Sequence, residues 1–229
     1  DLHDAFIDKE VKAIISVIGG FNSIELLDFL DYDIIKKNPK ILCGYSDITA
    51  LENAIFAKTG LITYSGPHFF DFGEVKGFDY TEEYFKKCLF SNEHFEIVPS
   101  KVWSNDRWGK DQENRIFEKN NGQYIIHHGE ASGTIIGANM VTFHALLGTQ
   151  FMPCPKEDIL LFLEDDDEEN IDSINRTLFS LSMQEWFKNV KGIVFGRFQP
   201  KSEITKEKLA IIIKNNHLDR KSTRLNSSH

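Results

Sequence analysis

Pro39-Lys-Ile-Leu-Cys-Gly-Tyr-Ser-Asp-Ile-Thr49 is the stretch that decides the fold. Its apolar run Ile41-Leu42-Cys43 has the composition of a buried strand and stops at Gly44. Two residues later, Ser46 heads a helix-forming segment from Asp47 to Lys58 with Ile48, Leu51 and Ile55 on one face. Lys58-Thr-Gly60 is a helix stop in which glycine is free to go left-handed. A serine at the corner between a buried strand and a helix has the geometry of a nucleophile elbow. The turn lifts the hydroxyl out of the sheet, and the free N–H groups of the first helical turn face whatever it attacks. The pattern is not G-x-S-x-G, because Ile48 and Thr49 follow where a glycine would stand. On spacing alone, the same residues also suit a serine N-cap after a buried strand.

Upstream, Lys12-Ala-Ile-Ile-Ser-Val-Ile18 reads as a second buried strand that runs into Gly19-Gly20. Asn22-x-x-Glu25 then opens a helix with Ile24, Leu27 and Leu30 on its apolar face. Two strand-to-helix turns joined by a helix make a βαβ unit with neighbouring parallel strands and a right-handed crossover. Ligands of open parallel sheets sit beyond the carboxyl ends of the strands, where both the glycine pair and Ser46 fall. Ser46 is therefore the candidate nucleophile, with the backbone N–H groups of Gly20 and Asp47 as its oxyanion hole and Gly19 against the substrate. Chain reversal alone would also account for a glycine pair.

Several separated motifs carry a family resemblance. Ile18-Gly-Gly-Phe-Asn-Ser23, Leu26-Leu-Asp-Phe-Leu-Asp-Tyr32, the Pro39–Thr49 stretch and Gly66-Pro67 lie in the first half. Trp103-Ser-Asn-Asp106, Asp111-Gln-Glu-Asn-Arg115, Gly137-Ala-Asn139, Leu161-Phe-Leu-Glu-Asp165 and Gly192-Ile-Val-Phe-Gly-Arg-Phe198 follow in order. Together they resemble the LD-carboxypeptidase family of serine peptidases, which includes the microcin C immunity peptidases, from about Asp1 to about Asp219. The resemblance implies a Ser–His–Glu relay in which Glu164 orients the histidine base of Ser46. It also implies an N-terminal strand and helix before Asp1 and a catalytic histidine on a strand after residue 219. His217 lies too early to match it, so the 229-residue chain is expected to be catalytically incomplete.

The composition is compatible with this reading. Hydrophobic residues make up 41% of the chain and aromatics 12%, enough for real cores, and a net charge of −9 argues against a nucleic-acid backbone as partner. No apolar run approaches the length of a membrane span, and no signal-peptide pattern opens the chain. Cys43, Cys88 and Cys154 form neither a disulfide framework nor a metal spacing, and Cys43 reads as a small core residue. His127-His128 point to opposite faces of a strand without a carboxylate at ligand spacing, so no metal is expected; no cofactor motif appears.

The remaining elements are expected as follows. Leu61–Ser65 is a strand stopped by Gly66-Pro67, and His68 after it is either a structural residue or a substitute base. A helix around Glu82–Cys88 closes the first domain, residues 1–98. Residues 99–122 form a linker whose Trp103 and Trp108 either contact substrate or pin the linker to the surface. A smaller α/β domain, 123–219, holds strands at Ile125-Ile126, Gly133–Gly137, Asp158–Leu163 and Gly192–Gly196, and helices at Asn139–Leu147, 171–181 and Thr205–Asn215. Asn139 is a further substrate-binding candidate, and Glu164 ends the strongest strand of this half before an acidic helix entry. Arg220–His229 is polar, aperiodic and read as a non-native tail.

The expectation is an α/β protein: an N-terminal parallel-sheet domain with a nucleophile elbow, a smaller C-terminal α/β domain, and the active site at their interface. The implied activity is hydrolysis of the L,D bond to the terminal D-alanine of murein tetrapeptides, by a cytoplasmic enzyme that is a homodimer when intact. Two alternatives stand beside it. One is a microcin-immunity-type peptidase that cleaves a peptidyl- or aminoacyl-nucleotide amide, with an indole of Trp103 or Trp108 stacked on the base. The other is a non-catalytic protein that binds small peptides in the same cleft.

Overall fold

The computed structural model describes residues 1–166, 169–216, 218 and 222–225. His217, His229 and part of the acidic run after Glu164 thus lie outside the described residues. The chain forms two compact units. One comprises Asp1–Val98, Asp106–Ile116 and Ala145–Pro153; the other comprises Pro99–Asn105, Phe117–His144 and Cys154–His229. The segment read as a linker is thus shared between them.

In the first unit, helix α1 (Leu2–Ile7) leads to strand β1 (Ala13–Ile15). A 3-10 helix at Ser23–Phe29 and helix α2 (Tyr32–Lys37) then lead to strand β2 (Ile41–Gly44). A 3-10 turn at Ser46–Ile48 opens helix α3 (Thr49–Thr59), followed by strand β3 (Tyr64–Ser65) and helix α4 (Asp79–Leu89). The sheet order is β1-β2-β3, all parallel, as the βαβ reading requires. Phe6, Ile35, Leu42 and Ile55 form the core, with Ile14, Tyr32 and Leu61 packed against it.

Three local expectations change. The first strand ends at Ile15 because the extended chain beyond it pairs elsewhere: Phe69 N–H donates to Ser16 O (2.8 Å) and Phe70 N–H to Val17 O (3.1 Å). The expected helix at 22–30 is a 3-10 helix, and Asn22 does not cap it; its Nδ2 donates to Glu25 Oε1 at 2.6 Å instead. Helix α3 is not amphipathic, since every residue from Thr49 to Ile55 is buried, Glu52 and Asn53 included. Gly60 closes it at φ 75°, the left-handed stop read from the sequence.

The second unit carries a small hairpin of β4 (Val102–Trp103) and β5 (Glu118–Lys119), then β6 (Tyr124–His127), β7 (Thr134–Asn139) and helix α5 (Met140–Ala145). After these come β8 (Ile159–Glu164), helix α6 (Ile171–Ser182), β9 (Val190–Phe195), helix α7 (Lys206–Asn215) and β10 (Ser222–Leu225). The main sheet runs β6-β10-β9-β8-β7, parallel except for the antiparallel edge strand β6. Alternate residues of β8 (Ile159, Leu161, Leu163) are fully buried, as are Ile174, Leu178 and Leu181 of α6. Ser222–Leu225 pair with Gly192–Phe195 as a strand, although the sequence reading sets residues 220–229 outside the fold. No helix among the described residues is long and apolar enough to cross a membrane.

Candidate active site

Strand β2 ends at Gly44, Tyr45 is extended, and Ser46 takes φ 58° before the chain turns into α3. A left-handed serine costs about 1–2 kcal/mol, because its Cβ crowds the following carbonyl. The surroundings explain why the chain holds it. Gly44 lies so close to Ser16 that a Cβ there would stand 2.3 Å from Ser16 Oγ and 2.9 Å from Ile48 Cγ2. Ser46 is not an N-cap, since no side chain caps this turn, and the residue is part-exposed rather than packed away. Strand, tight turn, strained serine and helix are thus all present.

The glycine pair comes to the same place. A Cβ on Gly19 would lie 3.1 Å from Ser46 Oγ and 3.5 Å from His68 Nε2, so only glycine leaves that approach open. Asp47 fastens the following loop to the elbow: its buried carboxylate accepts from Ser23 N–H (2.9 Å) and Ser23 Oγ (2.7 Å). Gly20 sits beside that carboxylate. Behind the elbow, burial pushes the Cys43 thiol up to about 12, with the Glu52 charge adding to it. Cys43 is a core residue and an unreactive one. Burial raises Glu52 to about 8, opposed by a hydrogen bond from the Gly44 N–H, and its Oε1 has no partner among the described residues.

In the second unit, Asn139 and Glu164 occupy paired register positions at the carboxyl ends of the adjacent strands β7 and β8. Gly137 (φ 116°) and Ala138 (φ 103°) turn the end of β7, and a Cβ on Gly137 would strike Phe162 O at 2.0 Å. Asn139 Oδ1 accepts from Thr142 N–H (3.0 Å) and Oγ1 (2.8 Å), and its Nδ2 donates to Asp165 Oδ1 (3.2 Å). Burial, with Asp165 and Asp166 nearby, raises Glu164 to about 7; burial raises Asp165 to about 6. Glu164 Oε1 is buried without a partner among the described residues.

The two tryptophans part company. Trp108 belongs to the first unit and packs on Phe70 with ring centroids 4.6 Å apart. Trp103 belongs to the second, beneath Arg197, whose guanidinium lies 4.1 Å from the ring centroid. Arg197 also donates to Asn120 Oδ1 at 3.2 Å. Beside them is a cavity of about 490 Å³ lined by Trp103, Tyr124, Arg197, Phe198, Thr205 and Lys206, among others. Sequence reasoning missed both this cavity and the burial of Glu52. His127 and His128 are exposed, and among the described residues no three His, Cys, Asp or Glu side chains group where they could hold a metal ion.

Residues 1–66 match the LD-carboxypeptidase N-terminal domain, and residues 132–223 match the LD-carboxypeptidase C-terminal domain. The chain belongs to the LD-carboxypeptidase family. An MccF-like protein from Bacillus anthracis str. Ames superposes on it with a TM-score of 0.96 at 51% identity, over 100% of this chain and 70% of that one. The Bacillus subtilis (strain 168) protein named "Putative carboxypeptidase YocD" is 55% identical over 90% of this chain. The Escherichia coli microcin C7 self-immunity protein MccF is 36% identical over 87% of it. The chain spans 63% of the length of YocD and 60% of that of MccF. MccF has also been solved in complex with glutamyl sulfamoyl guanosine, a structure that matches this chain with a TM-score of 0.82 at 32% identity, over 100% of this chain and 70% of that one. Membership in the LD-carboxypeptidase family makes the protein a serine-peptidase relative with a two-unit α/β fold.

Proposed function

We propose that the protein is a serine carboxypeptidase that hydrolyses the L,D bond to the terminal D-alanine of murein tetrapeptides. Ser46 is the nucleophile, the Gly20 and Asp47 N–H groups hold the oxyanion, and Glu164 fixes the tautomer of the imidazole that takes the serine proton. The observation that carries this reading is Ser46 at φ 58° between a parallel strand and a buried helix, with Gly19 at its hydroxyl. A serine needed only for packing or capping has no reason to hold that conformation. The raised Glu164 also fits, since a carboxyl balanced near neutrality ionises as a neighbouring imidazole takes up a proton. A cytoplasmic location and a homodimer belong to the same proposal.

A second reading is supported by the second unit's cavity. Indole, phenol, guanidinium and ammonium groups around about 490 Å³ suit an aromatic base joined to an anionic linkage. Such a substrate would be an aminoacyl- or peptidyl-nucleotide amide. Active-site labelling tests the common core of both readings. A fluorophosphonate should modify Ser46 in a version of the protein extended past residue 219 through the expected histidine strand, and Ser46→Ala should abolish the adduct in a peptide map. Protection by a murein tetrapeptide supports the first substrate, and protection by an aminoacyl sulfamoyl adenosine supports the second. An adduct on another residue, or none, would overturn Ser46 as nucleophile.

A further inference from the structure

His68 is a buried polar residue of the first unit, 2% exposed, immediately after Gly66-Pro67. Three contacts fix its ring and backbone. The imidazole stacks on Tyr45 with centroids 4.0 Å apart, the backbone N–H of His68 donates to Asp71 Oδ2 at 2.8 Å, and ring Nδ1 lies 2.6 Å from Ser16 Oγ. The other nitrogen, Nε2, is buried without a partner among the described residues. It is 3.5 Å from the point a Gly19 Cβ would occupy, and Ser46 Oγ is 3.1 Å from the same point. The one unsatisfied ring atom is therefore aimed at the approach that Gly19 keeps open beside the serine.

The hydrogen-bond pattern decides what that atom can do. Ser16 has a single hydroxyl proton and two acceptors to choose from, Cys43 O at 3.4 Å and His68 Nδ1 at 2.6 Å. The first is at the limit of a hydrogen bond and the second is short, and a hydroxyl that donates into the short contact leaves Nδ1 as the acceptor. A neutral imidazole that accepts at Nδ1 carries its own hydrogen on Nε2. Burial pushes His68 down to about 4, so the ring is uncharged at neutral pH and a poor base. Leaving a buried donor unpaired is unfavourable. That cost is offset once an acceptor arrives.

We propose that His68 Nε2–H donates to the carbonyl oxygen of the acyl group on Ser46, joining the backbone N–H groups that hold the oxyanion. This rests on Ser46 being the nucleophile. A neutral donor suits the task, because it stabilises developing negative charge without surrendering a proton. It also accounts for Ser16 and for the two glycines. Gly44 makes room for the Ser16 hydroxyl that sets the tautomer, and Gly19 leaves open the space the donor points into.

Two measurements on the unsubstituted chain and its variants test it. In ¹⁵N-histidine-labelled protein at neutral pH, the His68 ring should show hydrogen on Nε2 and a bare Nδ1. In the protein extended past residue 219 through the expected histidine strand, phenylboronic acid should form a tetrahedral adduct that Ser46→Ala abolishes. His68→Ala should weaken that adduct about 100-fold, the scale of one lost oxyanion donor, and His68→Gln should recover most of it. If His68→Ala does not fold, Ser16→Ala serves instead: it leaves the ring in place, frees Nδ1 to take the hydrogen, and should weaken the adduct likewise. A ring protonated on Nδ1, or a Ser46-dependent adduct indifferent to both variants, overturns the role of His68 and leaves Ser46 standing. No adduct, or one that survives Ser46→Ala, overturns Ser46 and His68 together.

Discussion

Glu52→Gln should make the protein more stable, by an amount that grows with pH. Glu52 sits in the fully buried first turns of α3, 3% exposed, with one oxygen unpartnered. Burial raises its carboxyl from the usual 4.5 to about 8, while the Gly44 N–H opposes the shift. An acid whose pKa is higher in the folded protein binds its proton more tightly there, so stability falls as pH rises from the unfolded value towards the folded one. Each pH unit across that window is worth about 1.4 kcal/mol. Relative to Glu52→Gln, the unsubstituted chain should therefore match at about pH 4 and lose about 5 kcal/mol by pH 8 or above. Glutamine keeps the side-chain oxygen for the Gly44 N–H but cannot ionise. Urea unfolding of both proteins at intervals between pH 4 and pH 9 measures the difference, and contributions from Glu164 and Asp165 cancel in it. Parallel stability curves across that range would refute the reasoning, because they would mean that Glu52 ionises in the folded state as freely as in water.

Two shorter predictions concern packing. Gly44→Ala should cost more than about 2 kcal/mol in denaturant unfolding, since overpacking typically costs 1–3 and the new methyl would stand 2.3 Å from Ser16 Oγ; a smaller loss would mean that Ser16 can turn aside cheaply. Arg115→Ala should cost about 1.5–3 kcal/mol by the same assay, because the Arg115 side chain is 5% exposed between the part-buried carboxylates of Glu74 and Asp106.

The elbow was legible because its signals are local: a short apolar run, a glycine, a serine and a periodic segment within twenty residues. The strand that ends at Glu164 was legible for the same reason, whereas β7 runs on to Asn139, which the sequence reading places in the following helix. What escaped depends on distant partners. Ser16 and His68 are 52 residues apart, and neither carries a mark in the sequence that announces the other. Glu52 reads as the polar face of a helix with Ile48, Leu51 and Ile55 inward, and only packing on every side reveals the carboxyl as buried. The first strand was read too long because alternation does not say which neighbour takes the hydrogen bonds after Ile15. The division of the tryptophans between two units likewise follows from tertiary pairing, with Phe70 in one case and Arg197 in the other.

The discontinuity of the first unit bears on how the polypeptide matures. Its last segment is Ala145–Pro153, which supplies Phe151 against Tyr32 (ring centroids 5.9 Å) and Gln150 to Lys58 (2.6 Å). Asp106–Ile116 supplies the buried Arg115. During synthesis the unit that presents Ser46 cannot finish packing until residue 153 has left the ribosome, with Phe117–His144 of the other unit already emerged. Until then the part of the first unit around Tyr32 that Phe151 packs against stays open in the nascent chain. Its exposure to holdase chaperones is set by the order of its segments rather than by the stability of either finished unit.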